Sequence, residues 1–176
     1  MRFSYLLAAT ALPLLIGCSR PLDQTAPVTP DAAEQVCSKC YDELVEHYDD
    51  DPDVSMIPEA HRTVLLIWMA IPLIENGGIE YFLEHDIKGD PDFKLTLAAF
   101  DRVGCRVATD AFRDFLTLRQ RDTSSSNDNE EKEKLNRRFW SVGTTGNCDL
   151  VVALARYIQK HEAELKVTTK PDQAKQ

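Results

Sequence analysis

Apolar residues recur along the chain at three- and four-residue intervals, and no stretch alternates convincingly with period two. The first such pattern covers residues 30–50. There Cys37, Tyr41, Leu44 and Tyr48 share one face, flanked by Val36, Cys40 and Val45, with Asp42, Glu46 and Asp49 opposite. Thr29 and Pro30 suit an N-cap and first helical position, and Pro52 stops the helix. A second helix opens at Pro58-Glu59. Its run "VLLIWMAIPLI" is apolar nearly all round, which predicts the buried centre of the fold. Pro72 lacks an N–H and predicts a kink there.

Asn76-Gly77-Gly78 follows directly and raises three possibilities: a hairpin turn, a ligand-cradling glycine loop, or a helix break. Both flanks have helical spacing, and no basic residue or phosphate motif accompanies the glycines. The stretch therefore reads as a structural corner, from which a short helix "IEYFLEH" turns Ile79, Phe82 and Leu83 inward. "GDPDFK" predicts the next helix start, with Asp90 as N-cap, Pro91 at the first position and Asp92 in the first turn. One face carrying Phe93, Leu97, Phe100, Gly104, Val107, Ala111, Phe115 and Leu118 predicts a single long helix to residue 118, with Gly104 and Ala111 allowing close packing. Residues 119–131 form a polar low-complexity loop. A shorter helix with Leu135 and Phe139 inward follows. After a turn, Asp149 caps a last helix whose inner face includes Val151, Leu154 and Ile158. The sum is an all-α domain of five or six helices around a Pro-kinked central helix, over residues 30–165.

The ends of the chain differ in character. Leu6–Ile16 is too short to span a bilayer and suits the apolar part of a signal peptide over residues 1–17. Leu15-Ile16-Gly17-Cys18 resembles a bacterial lipobox, in which Cys18 would carry acyl chains such as palmitate and begin the mature protein. Ser19, in place of a retention Asp, suggests the outer membrane facing the periplasm. Residues 18–29 read as a Pro- and Thr-rich tether, and residues 166–176 as a disordered tail.

Charge is unevenly spread. The chain has 20 basic and 29 acidic residues. Between residues 31 and 59 stand ten acids (Asp31, Glu34, Asp42, Glu43, Glu46, Asp49, Asp50, Asp51, Asp53, Glu59) and one base, Lys39. Nucleic acid is disfavoured as a partner, because binding it needs a basic surface. The acidic helix, through Asp42, Glu46, Asp49 and Asp50, is the candidate contact face for a basic protein. Its alternative is an ordinary solvated helix face.

With Cys18 lipidated, Cys37, Cys40, Cys105 and Cys148 remain, an even number in an oxidising compartment. Structural disulfides from the first helix to Cys105 and Cys148 are expected, with the pairing open. A redox Cys-x-x-Cys would belong at a helix N-terminus, and zinc would need a second paired knuckle. Nothing calls for a cofactor. Asp49, Asp51 and Asp53 alternate like a calcium loop, but Val54 and Ala60 replace its Gly and Glu. No zinc-hydrolase, P-loop or nucleophile-elbow motif occurs. Glu75 and His85 flank the glycine corner and are the candidate polar groups of an enzymatic alternative.

The parts Leu65-Ile67-Trp68, Asn76-Gly77-Gly78-Ile79, Tyr81-Phe82, the 91–118 helix, Phe139-Trp140 and Tyr157-Ile158 together resemble the bacterial DNA-mimic protein family, from Ile67 to about Leu165. The resemblance implies an all-α domain and no established enzyme activity. It also implies at least one relative whose acidic surface imitates DNA toward a DNA-binding regulator. The expectation is a lipid-anchored, non-enzymatic interaction protein of the cell envelope, with an inhibitor or immunity role toward a basic partner as its variant.

Overall fold

The computed structural model describes residues 29–48, 51–121, 126–140 and 149–167. The signal peptide, Cys18, the tether, Asp49, Asp50, Cys148 and the end of the tail lie outside them. Among the described residues there are seven α-helices and no strand. They are α1 (Pro30–Tyr48), α2 (Glu59–Leu83), α3 (Lys94–Val103), α4 (Arg106–Arg119), α5 (Ser126–Trp140), α6 (Leu150–Lys160) and the single turn α7 (Glu162–Leu165).

Helix α2 is the centre, as its all-round apolar run dictates. It packs against α1, α3, α5, α6 and α7. By length and composition it could cross a bilayer, but half of its most apolar window is buried inside this fold. Helix α1 lies across α2 and α6, burying Ala33, Cys37 and Leu44 completely. A chain of rings joins the other elements. Phe82 of α2 lies 5.6 Å from Phe93 and 5.9 Å from Phe112, Phe100 lies 5.0 Å from Phe112, and Phe139 of α5 lies 5.7 Å from Phe100.

The break in α2 falls at Gly78, with φ 80 and ψ 179, and the backbone through Pro72 keeps helical angles. Pro72 is exposed, so its ring projects into solvent. The expected long helix is also divided. Gly104 adopts a left-handed conformation (φ 82, ψ 15), ends α3, and leaves Cys105 to start α4. A Cβ on Gly104 would meet nothing within 4 Å, so this glycine serves backbone handedness and not close packing. Ala111, by contrast, is fully buried.

Asp90 does cap α3, but from a distance. Pro91 and Asp92 form a turn, and the helix begins at Lys94. The buried Asp90 carboxylate reaches over that turn to accept from Leu95 N–H (2.9 Å), Thr96 N–H (2.7 Å) and Thr96 Oγ1–H (2.7 Å). Phe93 sits left-handed at φ 56, held there by its buried ring. The polar loop after α4 is shorter than expected, because Ser126–Glu131 already belong to α5. Asp149 caps α6 as expected, accepting from Val151 N–H and Val152 N–H at 2.9 and 3.2 Å.

Candidate functional site

The glycine corner is built from backbone outward. Gly78 is extended with positive φ, a region that only glycine adopts readily. The turn removes Ile79 N–H from the helical ladder, leaving a buried donor in need of an acceptor. Asn136 of α5 supplies it, with Oδ1 at 2.9 Å from Ile79 N. A Cβ on Gly78 would lie 2.7 Å from Asn136 Nδ2, so the approach itself excludes a side chain. Lys132, one turn earlier on α5, pairs with Glu80. Past the corner, Arg119 of α4 donates to the Leu83 carbonyl at 3.0 Å. Gly77 lies under the Tyr81 ring, whose edge meets His85 at 4.9 Å. Asn76 is exposed.

Glu75 and His85 are not brought into one site. Glu75 is exposed and borders a cavity of about 250 Å³ with Ile71, Phe139 and Trp140, and His85 is not among its lining residues. His85 Nδ1 instead faces the Tyr81 carbonyl at 2.9 Å, within its own helix end.

The acidic face of α1 is bare. Asp42 and Glu46 are exposed one turn apart, and no described cation pairs with either. Lys39, the base of α1, lies 3.9 Å from Glu43. On α4 and α5 the pattern is the opposite. Asp110 and Asp114 are matched by Arg113 and Arg138, and Glu133 by Arg137.

The cysteines of α1 carry thiols, and no disulfide joins Cys37, Cys40 and Cys105 to one another. The expected bond from α1 to Cys105 is therefore replaced by a different contact. Cys37 Sγ turns toward α6 and donates to the Val151 carbonyl at 3.6 Å. Burial, then Cys40 and Asp149, pushes the Cys37 thiol up to about 12. Burial, then Glu43, pushes Cys40 up to about 11. Both stay protonated at neutral pH, whereas a nucleophile must be thiolate. No cluster of three or more His, Cys, Asp or Glu suited to a metal ion exists among the described residues.

Two polar groups at the core escape sequence reading. His61 is buried near the start of α2, with Nε2 2.8 Å from the Glu164 carbonyl and Nδ1 2.7 Å from the Tyr48 hydroxyl. The other is Asn136. Its only sequence signal is a polar residue beside Leu135 on a weakly amphipathic helix.

The fold and the corner define an all-α domain organised on a broken central helix, with the break held by a side chain from a partner helix. The chain belongs to the family described as DMP19-like protein, which it matches over residues 55–161. That region runs from the turn before α2 to the end of α6 and leaves α1 outside it. The curated proteins and the solved structures gave no match.

Proposed function

We propose that this protein is a non-enzymatic binding module that presents the acidic face of α1 to a basic surface of another protein. One observation carries the reading: Asp42 and Glu46 of α1 stand exposed with no cation partner among the described residues, while Asp110 and Asp114 of α4 are matched by arginines. Bare charge at the surface steers and selects an oppositely charged partner. Membership in the DMP19-like family supports a protein partner that ordinarily binds nucleic acid, with carboxylates standing where phosphates would. In this chain the acidic surface would be supplied by α1, upstream of the family region. The lipobox-like Leu15–Cys18 supports a lipid anchor at Cys18 and an envelope location, outer membrane and periplasm-facing.

The test is capture from envelope fractions by crosslinking and pull-down, with wild type beside Asp42→Lys/Glu46→Lys. Both positions are exposed, so the fold should tolerate the two changes. The double variant should lose the captured partner, and wild-type capture should weaken with added salt. Undiminished capture by the double variant would sink the proposal. For the anchor, Cys18→Ala should remove the acyl mass, and a variant still membrane-bound with an unchanged mass would overturn the lipobox reading.

A further inference from the structure

A groove between the end of α3 and the outer side of α6 has a charge opposite to that of the protein as a whole. The chain carries a formal net charge of −9, yet this groove is lined by Arg102, Arg156 and Lys160 against a single carboxylate, Asp149. Asp149 carries one negative charge against these cations, and its Oδ1 also caps the start of α6. Arg156 and Lys160 are exposed, lie one turn apart on the same helix face, and have no carboxylate partner among the described residues. Arg102 is positioned from behind, its Nη2 held by Glu59 Oε2 at 2.6 Å. Its other terminal nitrogen, Nη1, is buried and has no hydrogen-bond acceptor. The groove measures about 410 Å³, within the range of small-ligand sites. Gly104 leaves the open space beside it unfilled.

We propose that this groove is an anion site for a phosphate monoester, either on a soluble molecule or on a lipid headgroup. Arg156 and Lys160, free of carboxylate partners, with the Glu59-paired Arg102 beside them, match a dianion better than a carboxylate ligand. Two guanidinium groups offer planar, paired donors suited to phosphate oxygens, and Lys160 adds a mobile ammonium. A phosphate oxygen near Arg102 would also give Nη1 the acceptor it lacks, after a small side-chain shift. This site is independent of the acidic face of α1.

Inorganic phosphate titrated into the full chain, followed by amide NMR, tests it. Signals of Gly104 and of the Arg156–Lys160 segment should shift saturably, and acetate at equal concentration should leave them unmoved. Arg156→Glu/Lys160→Glu, both at exposed positions, should keep the melting temperature and weaken phosphate binding by about tenfold or more. Phosphatidylcholine vesicles with and without phosphatidic acid separate the sources. Binding to the acidic vesicles that is lost in the double variant assigns a lipid headgroup. Phosphate binding without vesicle binding assigns a soluble ligand. The proposal is overturned if phosphate moves none of these signals, if acetate binds as well, or if the double variant binds phosphate like wild type.

Discussion

Asn136 of α5 accepts the Ile79 N–H at 2.9 Å, and so holds open the break that Gly78 makes in the central helix. Neither residue suffices alone. The break without the acceptor buries an unpaired donor, and the acceptor without the break has no free N–H to meet. Asn136→Ala should therefore destabilise the domain by about 1–3 kcal/mol in chemical denaturation. Gly78→Ala should cost at least about as much, because it combines an unfavourable backbone region with a clash against Asn136. In Gly78→Ala/Asn136→Ala the clash is relieved while the backbone strain remains, so the combined loss should fall short of the sum.

Tyr48 and His61 form a second cross-helix pair whose proton positions follow from chemistry. The Glu164 carbonyl can only accept, so His61 Nε2 carries a hydrogen, and in the neutral imidazole Nδ1 then accepts from the Tyr48 hydroxyl. Tyr48→Phe leaves a buried ring nitrogen without a donor and should cost about 1–3 kcal/mol. A double-mutant cycle with His61→Leu should recover a coupling of about 1 kcal/mol. Additivity would show that the contact contributes nothing.

Asp90 offers the sharpest test of the remote cap. Its buried carboxylate takes three hydrogen bonds from Leu95 and Thr96. Asp90→Ala should lower stability by about 2 kcal/mol or more, and Asp90→Asn by less, because one amide oxygen can still accept. Hydrogen exchange at Leu95 and Thr96 should rise in both variants.

Alkaline pH should unfold the protein through α1. The Cys37 thiol is raised from 9.0 to about 12 and Cys40 from 9.0 to about 11, while burial also raises Tyr48. In the unfolded chain these groups lose their protons first, so the folded state binds more protons above about pH 9. Stability is whole below that pH and falls as pH rises toward the folded values, by about 1.4 kcal/mol per unit for Cys37 alone. Denaturation midpoints taken from neutral pH upward should trace this decline, with a shallower slope in Cys37→Ala. Alkylation of Cys37 in the native protein should be slow at neutral pH.

Much of this architecture is legible in the residues because helix faces repeat every three or four positions. The pattern placed Cys37 and Leu44, the α2 run and Leu154 inside, and Gly78 at a corner. It misled between residues 91 and 118. Side-chain periodicity carries no record of backbone handedness, so the left-handed turn at Gly104 passed as one more small residue on a continuous face. The start of α3 was displaced because Asp90 caps from beyond an intervening turn, whereas local rules expect the cap next to the helix. The first turns of α5 carry no apolar period, since a helix segment facing water needs none. Of the candidate contact face, exposure at Asp42 and Glu46 follows directly from the pattern. The partners of Gly78 and His61 do not, because Asn136 and Glu164 are distant in sequence and are joined only by folding.

Helix α1 enters the core through Ala33, Cys37 and Leu44, and the segment preceding Pro30 is joined to its first turn. Tension on that leading segment would thus fall first on the outermost turn of α1. The three buried anchors would release in order, Ala33, then Cys37 with its grip on Val151, then Leu44. The family region behind them would keep its own ring-packed interior until the helix had peeled away. Mechanically, α1 is a fuse: it would yield before the domain it covers.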